Sequence, residues 1–161
     1  MVIASQAMKG AVAGLAATGF MTAAMVLGRR FLPRNQRQTL PPQEITQSML
    51  RRTGLAPALD GQQEMATTAA LHLGYGAAAG SLYAGLPQSA SQDGIASGLA
   101  YGAAVWAASY LGWLPALGLP PAAPRESASR NLLMIASHLV YGAALGAILS
   151  HGVPNSSERE P

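Results

Sequence analysis

Charged positions bunch along this chain and leave long stretches without any. The runs 10–28, 65–92, 94–124 and 131–157 are uncharged over 19, 28, 31 and 27 residues, and the first closes on Arg29 and Arg30. A helix crossing a hydrocarbon core about 30 Å thick needs roughly 20 mostly apolar residues. Each run holds one such segment, and the pattern predicts spans at about 8–28, 66–86, 95–115 and 131–150. The expected fold is all-α: an integral membrane four-helix bundle occupying residues 1–153, followed by a disordered tail over 154–161.

Composition sharpens this reading. Half of the 161 residues are hydrophobic and only 11% are charged, against about a quarter in an ordinary soluble domain. A soluble Ala-rich bundle is the competing class, but it needs a charged face on every helix, and these stretches carry none. A cleaved signal peptide competes for the first run alone. That run is long for such a segment, and the double arginine behind it reads better as a membrane stop. The chain has no cysteine, which excludes disulfide scaffolds, thiolate metal sites and cysteine nucleophiles.

Orientation follows from the arginines. Arg29, Arg30, Arg34, Arg37, Arg51 and Arg52 lie between spans 1 and 2, and Arg125 and Arg130 between spans 3 and 4, whereas the loop between spans 2 and 3 has no basic residue. The positive-inside rule puts both basic loops in the cytoplasm and both termini outside. The basic balance is then topology and lipid-headgroup contact, with the six arginines of the first loop at the headgroups, and not nucleic-acid binding. Within the cytoplasmic loop 29–65, Leu40-Pro41-Pro42 restarts the chain. Ile45, Met49 and Leu50 then share one face of a helix expected at about 43–53, with Glu44, Gln47, Ser48 and Arg51 elsewhere. Such a helix lies on the inner leaflet or packs on the bundle's own cytoplasmic end.

An internal repeat is visible. His72-Leu-Gly-Tyr75-Gly76-Ala-Ala-Ala-Gly80 matches His138-Leu-Val-Tyr141-Gly142-Ala-Ala-Leu-Gly146, and spans 1 and 3 both lead into Leu-Pro and then Leu-Pro-Pro. Two tandem helix-loop-helix units of equal orientation follow, related by an axis along the membrane normal. Every span also carries a Gly-xxx-Gly pair: Gly10 and Gly14, Gly76 and Gly80, Gly98 and Gly102, Gly142 and Gly146. In lipid such pairs supply close backbone packing. They fall in the outer half, which leaves bulkier and more polar groups at an inner level: His72, His138, Tyr75, Tyr141, Trp106, Tyr110, Met21, Thr22 and Met25. Both histidines lie about 10 Å from the cytoplasmic boundary at 1.5 Å per residue. A polar layer, or a cavity open toward the cytoplasm, is expected there.

Three readings of that layer compete. Neutral imidazoles donate to groups on facing helices and act as glue; the pair senses pH or passes protons; or His72 and His138 ligate haem or a metal, with Met21 or Met25 completing a soft copper site. No Ser-His-acid set, paired intramembrane carboxylates or phosphate loop points to an enzyme, and no resident cofactor is called for beyond the third reading. Tyr83, Tyr110 and Trp113 sit near helix ends, where aromatic residues mark the interface. Glu126 and Arg130 form an i,i+4 pair of structural character.

The stretch Leu114-Pro115-Ala-Leu-Gly118-Leu-Pro120-Pro121, followed by Glu126, Asn131 and His138-Leu-Val-Tyr141-Gly142, resembles the YagU-like family of small bacterial inner-membrane proteins, mainly over 98–146. The resemblance implies a helical inner-membrane protein without established activity, an association with acid tolerance in some members, and His138 as the position of interest. The expected function is that of a non-enzymatic inner-membrane protein, an accessory subunit or stress-related factor. Its partners are the bilayer and other membrane subunits or further copies of itself. The alternatives are a small proton or solute carrier or channel, and a haem-binding electron-transfer subunit.

Overall fold

The computed structural model describes residues 2–86 and 94–151, and among these it is all-α, with no strand. Helix α1 spans Val2–Arg29, α2 Pro41–Arg52, α3 Gly61–Gly85, α4 Gly94–Ala107 and α6 Ala128–His151. Between α4 and α6 the rod widens into a π-helical turn over Ala108–Trp113 and closes with the short α5, Leu114–Ala116. The expected disordered tail 154–161 lies outside the described residues, as does most of the loop between spans 2 and 3.

Polar sequence signals set the helix starts. Helix α3 begins at Gly61, ahead of the expected span, because Asp60 accepts from the Gln63 amide at 2.8 Å while the Gln63 side chain accepts from the Asp60 amide at 3.0 Å. This reciprocal capping box satisfies two otherwise orphaned donors outside the apolar segment. Helix α2 begins at Pro41, whose missing N–H costs nothing in a first turn. Helix α6 starts at Ala128, with the Ser127 hydroxyl accepting from the Arg130 amide.

The expected third span, 95–115, is not one regular helix. Pro115 has no N–H to offer and its ring crowds the carbonyl four residues back, and the preceding turn takes the wider π form. Helix α1, from Ala4, and helix α6 are each long and apolar enough to cross a membrane. The expectation of a qualifying apolar helix in all four runs therefore holds for two of them. Helix α3 is diluted by Gly, Ala, Thr and Gln, and α4 is short.

Packing is organised by backbone contact. Helices α1 and α3 run antiparallel, as do α4 and α6, and α1 also packs on α6. A Cβ placed on Gly14 would run into the Gly76 carbonyl, and one on Gly10 into the Gly80 carbonyl. In the second hairpin the same holds for Gly98 against Gly142 and for Gly94 against Gly146. Helices α3 and α4 are further apart and are joined by side chains. Tyr101 donates to the Ala79 carbonyl at 2.7 Å, and Tyr83 shares a hydrogen bond with Ser97 at 2.7 Å. From α6, Tyr141 reaches the Gly76 carbonyl at 2.7 Å. The buried core lies between the hairpins and includes Ala17, Met25, Leu114 and Leu145.

This packing sets the sign of two alanine substitutions. Gly142→Ala places a methyl against the Gly98 carbonyl and should lower stability by about 1–3 kcal/mol. Gly19→Ala, where a Cβ meets nothing within 4 Å, should cause no loss. Reversible unfolding in mixed detergent micelles would compare them, and equal effects would show that the glycine contacts carry no packing weight.

Candidate functional site

A cavity of about 250 Å³ lies between the two hairpins, at the end where α2 crosses them. Of the nine expected layer residues, Thr22 turns its hydroxyl to the Thr18 carbonyl, and seven line the cavity: Met21 and Met25 from α1, His72 and Tyr75 from α3, Tyr110 from the π turn, and His138 and Tyr141 from α6. Trp106 does not. Its ring stacks on Tyr110 at 6.2 Å and 16°, and its indole nitrogen is buried without a partner. Thr18, Ser109 and Trp113 also line the cavity. Trp113 thus faces inward and meets Tyr75 at 6.0 Å, although its place near a helix end suggested an interface marker.

The hydroxyls around the cavity are mostly tied to main chain. Thr18 donates to the Gly14 carbonyl at 2.7 Å and Ser109 to the Val105 carbonyl at 2.8 Å. With the Ser109 proton so committed, Tyr75 donates to Ser109 at 2.8 Å. The two histidines differ. His138 is 5% exposed, meets Tyr110 edge-on at 5.7 Å, and places Nδ1 2.8 Å from the Met134 carbonyl. A carbonyl only accepts, so Nδ1 carries the proton. In a neutral ring Nε2 is then an acceptor. His138 therefore bonds within its own helix, and not to a facing one as the glue reading expects. His72 Nε2 is buried and has no partner.

Helix α2 closes the cavity with Pro42, Ile45, Thr46 and Met49. Of its two expected placements, the structure shows the packing on the helix ends, with Pro41, Thr46, Ser48 and Leu50 buried. The expectation that Glu44 and Ser48 stand clear of the packed face is corrected by Glu44 pairing with Arg130 at 3.0 Å and by Ser48 being buried.

Three polar ties hold the strap. Arg130 binds Glu44 and also Glu126, the latter at 2.6 Å. Gln43 and Gln47 donate to Glu64 at 3.2 and 2.7 Å. Arg52 donates to the carbonyls of Leu117 and Gly118 at 2.6 and 2.7 Å. Gly118 sits at φ +63°, a left-handed turn that glycine takes without strain. Among the arginines expected at headgroups, Arg37 also turns to main chain, at the Leu32 and Arg30 carbonyls, and Arg29 reaches the Arg37 carbonyl. Arg30, Arg34 and Arg51 are exposed.

Among the described residues no three His, Asp or Glu side chains gather as metal ligands. The site is an apolar chamber with two imidazoles and a polar strap. One family model matches the chain, over residues 4–158: DUF6789, a family of unknown function. The chain belongs to the DUF6789 family. No curated protein and no solved structure matches it. The comparisons do not link this DUF6789 chain to the YagU-like proteins.

Burial raises the Glu44 carboxyl above its ordinary value, outweighing the pull of Arg130, while hydrogen bonds from Gln47 and Gln43 lower that of Glu64. A raised carboxyl binds its proton more tightly in the folded chain. Its stabilising contribution is therefore lost as pH rises through the raised value, whereas that of Glu64 is lost as pH falls through the lowered one. Glu44→Gln should remove the loss on the alkaline side of the ordinary carboxylate range and leave the acid-side loss. Arg130→Ala leaves two neighbouring partly buried carboxylates unpaired and should cost about 3–5 kcal/mol. Unfolding measured between pH 4 and pH 8 would check both.

Proposed function

We propose that the protein is a multi-pass bacterial inner-membrane protein with four spans, α1, α3, the α4–α5 rod and α6, and with both termini outside. In this reading it works without catalysis, as an accessory subunit acting through its His/Tyr chamber. The observation that carries the membrane part is the outer surface of the helices. Val12, Leu15 and Phe20 on α1, Leu71 and Leu82 on α3, Ile95 and Leu99 on α4, and Leu132 and Ile148 on α6 are all exposed. Isolated exposed apolar residues are ordinary, but a continuous apolar surface marks a face meant for something other than water.

The arrangement of charge supports the sidedness. Contacts of Gly28 with Leu133, Arg52 with Gly118 and Glu44 with Arg130 bring both basic loops to one end of the helices. Eight of the ten Lys and Arg residues lie in those loops. The two hairpins also use the same glycine spacing, which supports a tandem repeat. The repeat is not symmetric in its packing, since α1 meets α6 closely while the corresponding pair, α3 and α4, is held apart. The chamber occupies that difference. Non-catalytic action is supported by the commitment of Thr18, Ser109 and Ser137 to carbonyls one turn back, which leaves none of them poised as a nucleophile.

The absence of native cysteine allows single-cysteine mapping of this topology. In intact cells Ser5→Cys should react with a membrane-impermeant maleimide, and Arg34→Cys should react only after lysis. The opposite pattern would reverse the sidedness, and recovery of monodisperse protein without detergent would overturn the membrane reading.

A further inference from the structure

The chamber has a lateral mouth and an unfilled hydrogen-bonding demand. No charged side chain lines it, so a charged guest would be desolvated without compensation. Its most exposed lining residues are Met49, Leu71 and Tyr75, at 42, 47 and 43%. They place the opening on the side of α3, facing the π turn, at the level of the outward apolar belt. In the four-span reading above, a guest arrives there from lipid and not from water.

Inside, His138 Nε2 is a free acceptor once Nδ1 is bound to Met134, and His72 Nε2 is buried without a partner. Tyr110 and Trp113 offer ring surfaces, and the Met21 and Met25 side chains adapt to an aromatic neighbour. An apolar cavity of about 150 Å³ accommodates benzene. This chamber, at about 250 Å³, accepts a substituted ring and the first part of a tail.

We infer that the chamber binds a neutral hydroxylated ring on an apolar tail, a phenol- or quinol-headed lipid, which enters sideways and donates a hydrogen bond to His138 Nε2. The inference rests on the four-span membrane reading above. It requires no reaction, only recognition of a ring hydroxyl.

The test uses full-length protein in detergent micelles, labelled with ¹⁵N-histidine, whose three imidazoles give few resonances. Titration with 4-nonylphenol should shift the His138 Nε2 signal saturably. Nonylbenzene, which lacks the hydroxyl, should bind about tenfold more weakly, the weight of one good hydrogen bond. Ala79→Phe, which fills the chamber from α3, should abolish the shift. Should that variant not fold, nuclear Overhauser contacts from the probe ring to the Met21 and Met25 methyls locate the guest in unaltered protein. A non-saturable shift, equal binding of the two probes, or a guest found away from those methyls overturns the inference. Cysteine labelling separates the two levels: a protein that labels as expected but ignores the phenol loses only the ligand assignment.

Discussion

Direct contact between helix backbones at glycine is the constraint from which the other features follow. Where two helices meet through side chains, their axes stand 8–10 Å apart and many residue pairs can substitute for one another. Where a carbonyl of one helix lies on the Cα of the next, neither residue can carry a side chain. Gly14 on Gly76 and Gly98 on Gly142 each lock one hairpin in this way. With the hairpins rigid, the remaining freedom lies in how they are set against each other. They are set unequally: α1 is pressed on α6, whereas α3 and α4 are held off by tyrosines. The space that remains becomes the chamber, and its contents are whichever side chains lie one or two turns beyond the glycines.

The end that α2 crosses is governed by a different physics. There the apolar helices give way to loops with many polar main-chain groups, and arginine serves as their partner. Arg37, Arg52 and Arg130 together satisfy carbonyls in three separate loop segments. Arg130 is 7% exposed and is shared by two carboxylates, so its charge is spread over a network and not spent on one surface pair. This network fixes α2 in place, and α2 in turn decides how much of the chamber is covered.

Much of this was legible in the residues. Uncharged runs located the long helices because charge is the feature such helices avoid, and the His-Leu-x-Tyr-Gly repeat drew attention to residues that share one cavity. The difference between the copies was not legible. His72 and His138 occupy equivalent positions, yet His138 is buried against Tyr110 while Tyr75 and its neighbours form the open rim. Periodicity cannot report which of two equivalent interfaces closes. The start of α3 lies beyond the reach of the apolar pattern, because the Asp60–Gln63 box is polar and lies outside the apolar run. The π turn has no pattern of its own, because the widening lies upstream of Pro115, inside an unbroken apolar run. The role of α2 as a strap rested on long-range pairs, Glu44 with Arg130 and Arg52 with Gly118, which no local pattern encodes.

The strap also has a bearing on biogenesis. It is synthesised in the first half of the polypeptide, but the residues of two of its three ties, Leu117 with Gly118 and Arg130, emerge from the ribosome far later. A nascent chain with only its first hairpin made therefore has a complete glycine contact and an α2 held at Glu64 alone. The compartment beneath α2 comes into being only when translation has delivered the last helix, which supplies His138 and Tyr141 to its wall.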